Sequence, residues 1–151
     1  MKFSESIDIP NEQIVVETVH SFVFVNLRPF LKYHLLISPK RIVKQLVNLS
    51  KEELNDLFET VQKCEKAFAF YTTHFTITVQ DGEFAGQTVS HVHVHLIPRL
   101  KEDISVNNEI YKEGSLETNI DDEGKIRKNR SLEEMKKESE FLRTKFSEIF
   151  K

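Results

Sequence analysis

The sequence predicts an α+β domain: an antiparallel five-stranded sheet carrying a long main helix and a C-terminal helix. Three observations lead there. Short β-branched and aromatic runs follow one another before residue 40 without the helical crossovers that a parallel sheet requires. One capped, amphipathic segment begins at Ser50, and two adjacent strand-like runs come after it. The second of these, His91–Pro98, alternates with strict period two.

In chain order, Ile14-Val15-Val16 and Phe22-Val23-Phe24-Val25 read as the first two strands. Asn26-Leu27-Arg28-Pro29 breaks the run, because Pro29 has no N–H to give to a ladder. His34-Leu35-Leu36-Ile37 forms a third strand, ended at Pro39. Ser50 and Glu53 make the capping pattern in which each side chain satisfies an orphan donor at a helix start. Leu54, Leu57, Phe58, Val61, Cys64 and Phe68 then recur at steps of three and four as one apolar stripe. Phe75–Gln80 alternates as a fourth strand and Asp81-Gly82 marks a turn. Residues 101–130 are polar with both charge signs, and read as a mobile excursion. Ser131 and Glu134 repeat the capping pattern and open a C-terminal helix near 132–150 with Met135, Leu142, Phe146 and Ile149 on its apolar side.

With 151 residues, 39% of them hydrophobic, the chain fits a single domain over 1–151 with a Phe-rich core. A net charge of -3 argues against general nucleic-acid binding, so any anionic ligand must be met by local donors. Cys64 is the lone cysteine, which excludes an internal disulfide and multi-thiolate zinc sites, and its place in the stripe suggests a core thiol. No apolar run approaches the roughly 20 residues that span a bilayer, and the N-terminus lacks a signal-peptide core. A cytoplasmic location is expected, with the nucleus as the other reducing compartment.

Chemistry concentrates at His91-Val92-His93-Val94-His95. Period two puts three imidazoles on one face, about 6.7 Å apart along the strand, and sends Val92, Val94 and Leu96 toward the core. An ordinary half-exposed strand gains nothing from such a row. One reading is a metal site, since strand-borne His-x-His suits zinc. The other is nucleophilic attack on phosphorus by a neutral imidazole. Gly86-Gln87-Thr88-Val89 favours the second, because close backbone approach, amide N–H groups and a hydroxyl make a cradle for phosphate oxygens.

The block Gln80-Asp81-Gly82-x-x-Ala85-Gly86-Gln87-Thr88-Val89-x-His91-Val92-His93-Val94-His95-x-x-Pro98-Arg99 resembles the histidine triad hydrolases, most of all their fragile histidine triad branch. Weaker similarity runs through Phe22, Asn26, Pro29, His34, the main helix and Asn108-x-Ile110-Tyr111, thinning after residue 115. The resemblance implies a dinucleoside polyphosphate hydrolase that releases AMP plus ADP or ATP through a covalent histidine–AMP intermediate. It makes His93 the nucleophile, with its other ring nitrogen bonded to a backbone carbonyl, and His95 the aid to the departing nucleotide. His91 becomes a buried organiser oriented by His34. Gln80, Gly86, Gln87, Thr88 and Val89 would bind phosphate, Asn26 the ribose, and Phe3, Phe24 and Leu36 would wall an adenine pocket. No metal ligand set and no tightly bound cofactor is implied. Magnesium or manganese would arrive with the substrate, and Tyr111 with the polar loop could cover it. The family also implies a homodimer whose sheet continues into its partner.

Two departures from the family pattern stand out: Tyr33 where glycine precedes the strand histidine, and Ser6 where fragile-type members tend to carry a histidine near the base. His20 and His74 lack such a context and are expected at the surface. The competing readings are an adenosine phosphoramidase of the histidine triad nucleotide-binding branch, a nucleotide-bound signalling module with slow hydrolysis, and a zinc protein. The Gln80-Asp81-Gly82 start, the Pro98-Arg99 end and the long extension beyond the triad favour the fragile branch.

Overall fold

The computed structural model describes residues 1–104 and 127–151. Much of the polar excursion expected at 101–130, with Asn108, Ile110 and Tyr111, falls outside these residues. Five strands form one sheet: β1 (Ile14–Glu17), β2 (Ser21–Val25), β3 (Leu35–Pro39), β4 (Phe75–Thr78) and β5 (Val94–Pro98). Their spatial order is β1-β2-β3-β5-β4, and every neighbouring pair is antiparallel. Helix α1 (Lys51–Ala67) lies between β3 and β4 in the chain, and α2 (Leu132–Phe146) closes it.

The side-chain period of two sorts the strands onto two faces. Val23, Val25, Leu35, Ile37, Val94 and Leu96 share a core with Leu57, Val61, Cys64 and Phe68 of the α1 region. Met135, Leu142 and Phe146 of α2 complete it. On the opposite face Phe22, Phe24 and Leu36 gather with Phe3 and Ile9. That second cluster carries the site.

Both expected capping boxes are formed, Ser50 with Glu53 and Ser131 with Glu134. Arg41 adds a fork onto Glu53, at 3.0 and 2.8 Å, and chiefly this bonding holds the Glu53 carboxyl down at about 2. Burial pushes the Cys64 thiol up, as befits an inert core group.

Several boundaries differ from expectation. The fourth strand stops at Thr78, two residues before Gln80. Pro39 belongs to β3, opposite Ser21, rather than ending it beforehand. Regular helix α2 ends at Phe146, so Ile149 lies in the turn that follows. Leu54 and Phe58, expected on the buried stripe of α1, are 39% and 41% exposed. The stripe is wider than the surface available to cover it.

Tyr33 explains how the chain does without the family's glycine. It takes a φ of 66°, the left-handed conformation glycine adopts freely and a bulky residue resists. Its ring offsets the strain through contacts with Phe68 at 5.9 Å, Tyr71 at 4.9 Å and Phe141 at 6.0 Å. The turn is kept by packing instead of by backbone freedom.

Candidate active site

The ladder of β5 begins at Val94, so His91 and His93 precede it rather than belonging to it. The chain there is nevertheless held: the Val92 N–H donates to the Val43 carbonyl at 2.8 Å and Ser38 Oγ to the Val92 carbonyl at 2.7 Å. Alternation is preserved. Val92, Val94 and Leu96 enter the helix-side core as expected, while His91, His93 and His95 are all buried on the other face.

Each imidazole has a defined partner. The Val43 N–H donates to His91 Nδ1 at 3.0 Å, which places the His91 proton on Nε2, 2.8 Å from the Pro39 carbonyl. Burial is the main force pushing the His91 pKa down, opposed by its contacts with Val43 and Pro39 and assisted by the charge of His93. An imidazole depressed in the fold is protonated first in the unfolded chain. Its contribution is therefore complete above about pH 6.5 and is lost as pH falls below that. The melting temperature is expected to drop between about pH 7 and pH 5.5, and His91→Gln to flatten that slope. An unchanged slope in the variant would assign the acid sensitivity to other groups.

His93 Nδ1 lies 2.7 Å from the His91 carbonyl, so it donates that proton and its lone pair is on Nε2. This is the bond the sequence reading required. The ring stands 5.2 Å from Phe3 and 5.1 Å from His95, edge to face.

His34 corrects the expectation. Its Nε2 is 2.9 Å from His95 Nδ1, and it is His95, not His91, that it orients. The Phe30 N–H donates to His34 Nδ1 at 3.0 Å, so the His34 proton sits on Nε2 and is donated to His95. The remaining proton of His95 is thereby fixed on Nε2.

A cavity of about 270 Å³ opens against these rings. Phe3, Phe24, Leu36 and Asn26 line it together with Thr88, Val89, His93 and His95, so eight expected residues meet in one place. Phe3 and Phe24 meet edge to face at 5.1 Å. Asn26 is set by the Arg28 N–H on its Oδ1 at 2.9 Å and by Arg130 Nε on its carbonyl at 3.1 Å.

Gln80, Gly86 and Gln87 stand outside that lining. Gln87 spans the turn, accepting from the Gly82 N–H at 3.2 Å and donating to the Lys44 carbonyl at 2.9 Å. Gln80 Oε1 is buried without a hydrogen-bond partner among the described residues. Gly86, at φ 92°, leaves room for Gln80, whose Nε2 would sit 2.7 Å from any Cβ there.

Sequence reasoning missed Asp8, Ile9, Gln13 and Arg28, which also line the cavity. The first two come from an N-terminal segment that folds back through a Lys2–Asp8 bridge, and no periodic pattern signals such a fold. Ser6 is exposed and absent from this lining. His74 is exposed as expected, whereas His20 is half-buried near Asp56. Among the described residues no group of three or more His, Cys, Asp or Glu is arranged to hold a metal ion.

Comparison with known proteins agrees with this geometry. The HIT domain model matches residues 9–102. The chain belongs to the HIT domain family. A bis(5'-adenosyl)-triphosphatase of Dictyostelium discoideum is 44% identical over 142 residues, covering 93% of this chain and 89% of that protein. An asymmetrical bis(5'-nucleosyl)-tetraphosphatase of Schizosaccharomyces pombe is 40% identical, covering 90% of each. The crystal structure of the Caenorhabditis elegans NitFhit protein superposes with a TM-score of 0.77 at 37% identity. It covers 96% of this chain, which corresponds to 30% of that one. The HIT domain thus accounts for the sheet, for α1 and for the histidine row.

Proposed function

We propose that this protein hydrolyses dinucleoside polyphosphates of the diadenosine tri- and tetraphosphate type, releasing AMP plus ADP or ATP. The observation that carries the reading is the bond from His93 Nδ1 to the His91 carbonyl, which leaves a lone pair on Nε2 beside a nucleotide-sized cavity. The relatives' names supply the substrate class.

In this mechanism His93 Nε2 attacks the α-phosphorus. An N–P bond forms, the P–O bond to the leaving phosphate breaks, and the Nε2 proton of His95 goes to the departing oxygen. Water then attacks the phosphoramidate, gives its proton to His95, and frees AMP and His93. Thr88 and neighbouring amides meet the equatorial oxygens. Phe3, Phe24 and Leu36 hold the base, and Asn26 the ribose. A magnesium or manganese ion enters with the polyphosphate and neutralises it, needing no protein ligand.

The reading extends to a homodimer. Among the described residues β4 is an outer strand with no neighbour on one side, and the exposed Leu54 and Phe58 of α1 give a second copy an apolar surface to cover. A lone buried thiol supports a reducing compartment, cytoplasm or nucleus.

Incubation with diadenosine tri- and tetraphosphate should give AMP with ADP or ATP by chromatography, and quenched protein should carry one AMP on His93 by mass spectrometry. A strong preference for adenosine phosphoramidate over both dinucleotides would overturn the assignment.

A further inference from the structure

The cavity assigned to the AMP half has a neighbour. A second cavity of about 550 Å³ adjoins it, sharing Ile7, Thr88 and Val89 as a common partition. Ile42 and Lys44 from the segment after β3, Ser90 next to the cradle, and Ser4, Glu5 and Ser6 from the N-terminal fold line the rest. The resemblance that identifies the triad assigns no role to Lys44 or Glu5, and at Ser6 the chain departs from it.

Lys44 stands on fixed backbone. Its carbonyl accepts the Gln87 amide at 2.9 Å, and the residue before it is tied to His91 through Val43. The Lys44 ammonium has no carboxylate partner among the described residues. In a chain of net charge -3, a cation without such a partner beside a phosphate cradle matters. It supplies locally the positive charge that the molecule as a whole lacks.

A dinucleotide attacked at its α-phosphorus must lodge two halves, and the half that leaves is a nucleoside di- or triphosphate. We infer, on the basis of the proposed function, that the second cavity receives this leaving nucleotide and that Lys44 binds its phosphates. When the P–O bond breaks, the electron pair stays on the leaving oxygen, so negative charge grows on that side of Thr88 and an ammonium there lowers the barrier. Glu5, on the same cavity, suits the hydroxyls of the distal ribose, which donate where phosphate cannot. The distal half therefore lies with its phosphates toward Lys44 and its sugar toward Glu5.

The test compares diadenosine tetraphosphate with the p-nitrophenyl ester of AMP, which has no phosphate beyond the α position. Lys44→Gln should lower the ratio of kcat/KM for the dinucleotide over the ester about tenfold, the scale of one charge-assisted contact, and Lys44→Glu should lower it further. Product inhibition by ATP should weaken in both variants while inhibition by AMP holds. An unchanged ratio, or equal losses on both substrates, overturns the assignment of the second cavity and leaves the hydrolase reading intact. A wild-type protein that cleaves the ester but no dinucleotide overturns the hydrolase reading itself.

Discussion

His93→Asn is expected to lower turnover of a diadenosine polyphosphate about a million-fold, the scale seen when a covalent nucleophile is removed. Asparagine is the informative replacement because its amide N–H can take over the bond that His93 Nδ1 makes to the His91 carbonyl at 2.7 Å. The strand and the cavity beside it then persist, while the attacking nitrogen and the ring that meets Phe3 edge to face are lost. Nucleotide affinity measured by calorimetry should stay within a few-fold of wild type, and the covalent AMP adduct should vanish from mass spectra. Turnover within tenfold of wild type would mean that water attacks phosphorus directly, and the two-step mechanism would fail.

How far the sequence reaches is clear from individual residues. Valine and histidine alternate, so the two faces of the triad strand were legible without any knowledge of what covers them. Both capping boxes were legible for a similar reason: the donor and acceptor lie three residues apart. The partner of His34 was not legible, because it depends on register. In the observed pairing Leu36 stands opposite His95, so in that register His91 would stand opposite residue 40. That is six residues from His34, roughly 20 Å along a strand. His34 and His95 are close only because β3 and β5 are neighbours in that one register, although α1 and β4 separate them in sequence. Leu54 and Phe58 fail for the complementary reason: periodicity shows that a helix face is apolar, but not how much of it the sheet can cover. The N-terminal fold that brings Asp8 and Ile9 to the cavity is held by the Lys2–Asp8 bridge and by paired backbone hydrogen bonds between Met1 and Ile9, and has no period at all.

The relay ending at His95 yields the second large effect. The Phe30 N–H fixes the His34 tautomer, His34 fixes that of His95, and the result is a proton on His95 Nε2, the nitrogen from which the proposed mechanism protonates the departing oxygen. His95→Asn should slow formation of the AMP adduct in single turnover by roughly 10²–10⁴, the range for a positioned proton donor. His34→Phe keeps an aromatic ring but removes the bonds to the Phe30 N–H and to His95. It frees His95 to carry its proton on either nitrogen, and about half the molecules then present the wrong one. That costs only a few-fold from tautomer choice, with a further loss of about tenfold from misorientation of the ring. The two substitutions should also be strongly non-additive, because without His95 there is nothing left for His34 to orient. A double variant whose losses multiply would show His34 acting on the reaction by another route. An adduct forming at the wild-type rate in His95→Asn would place the departing oxygen's proton on some other group.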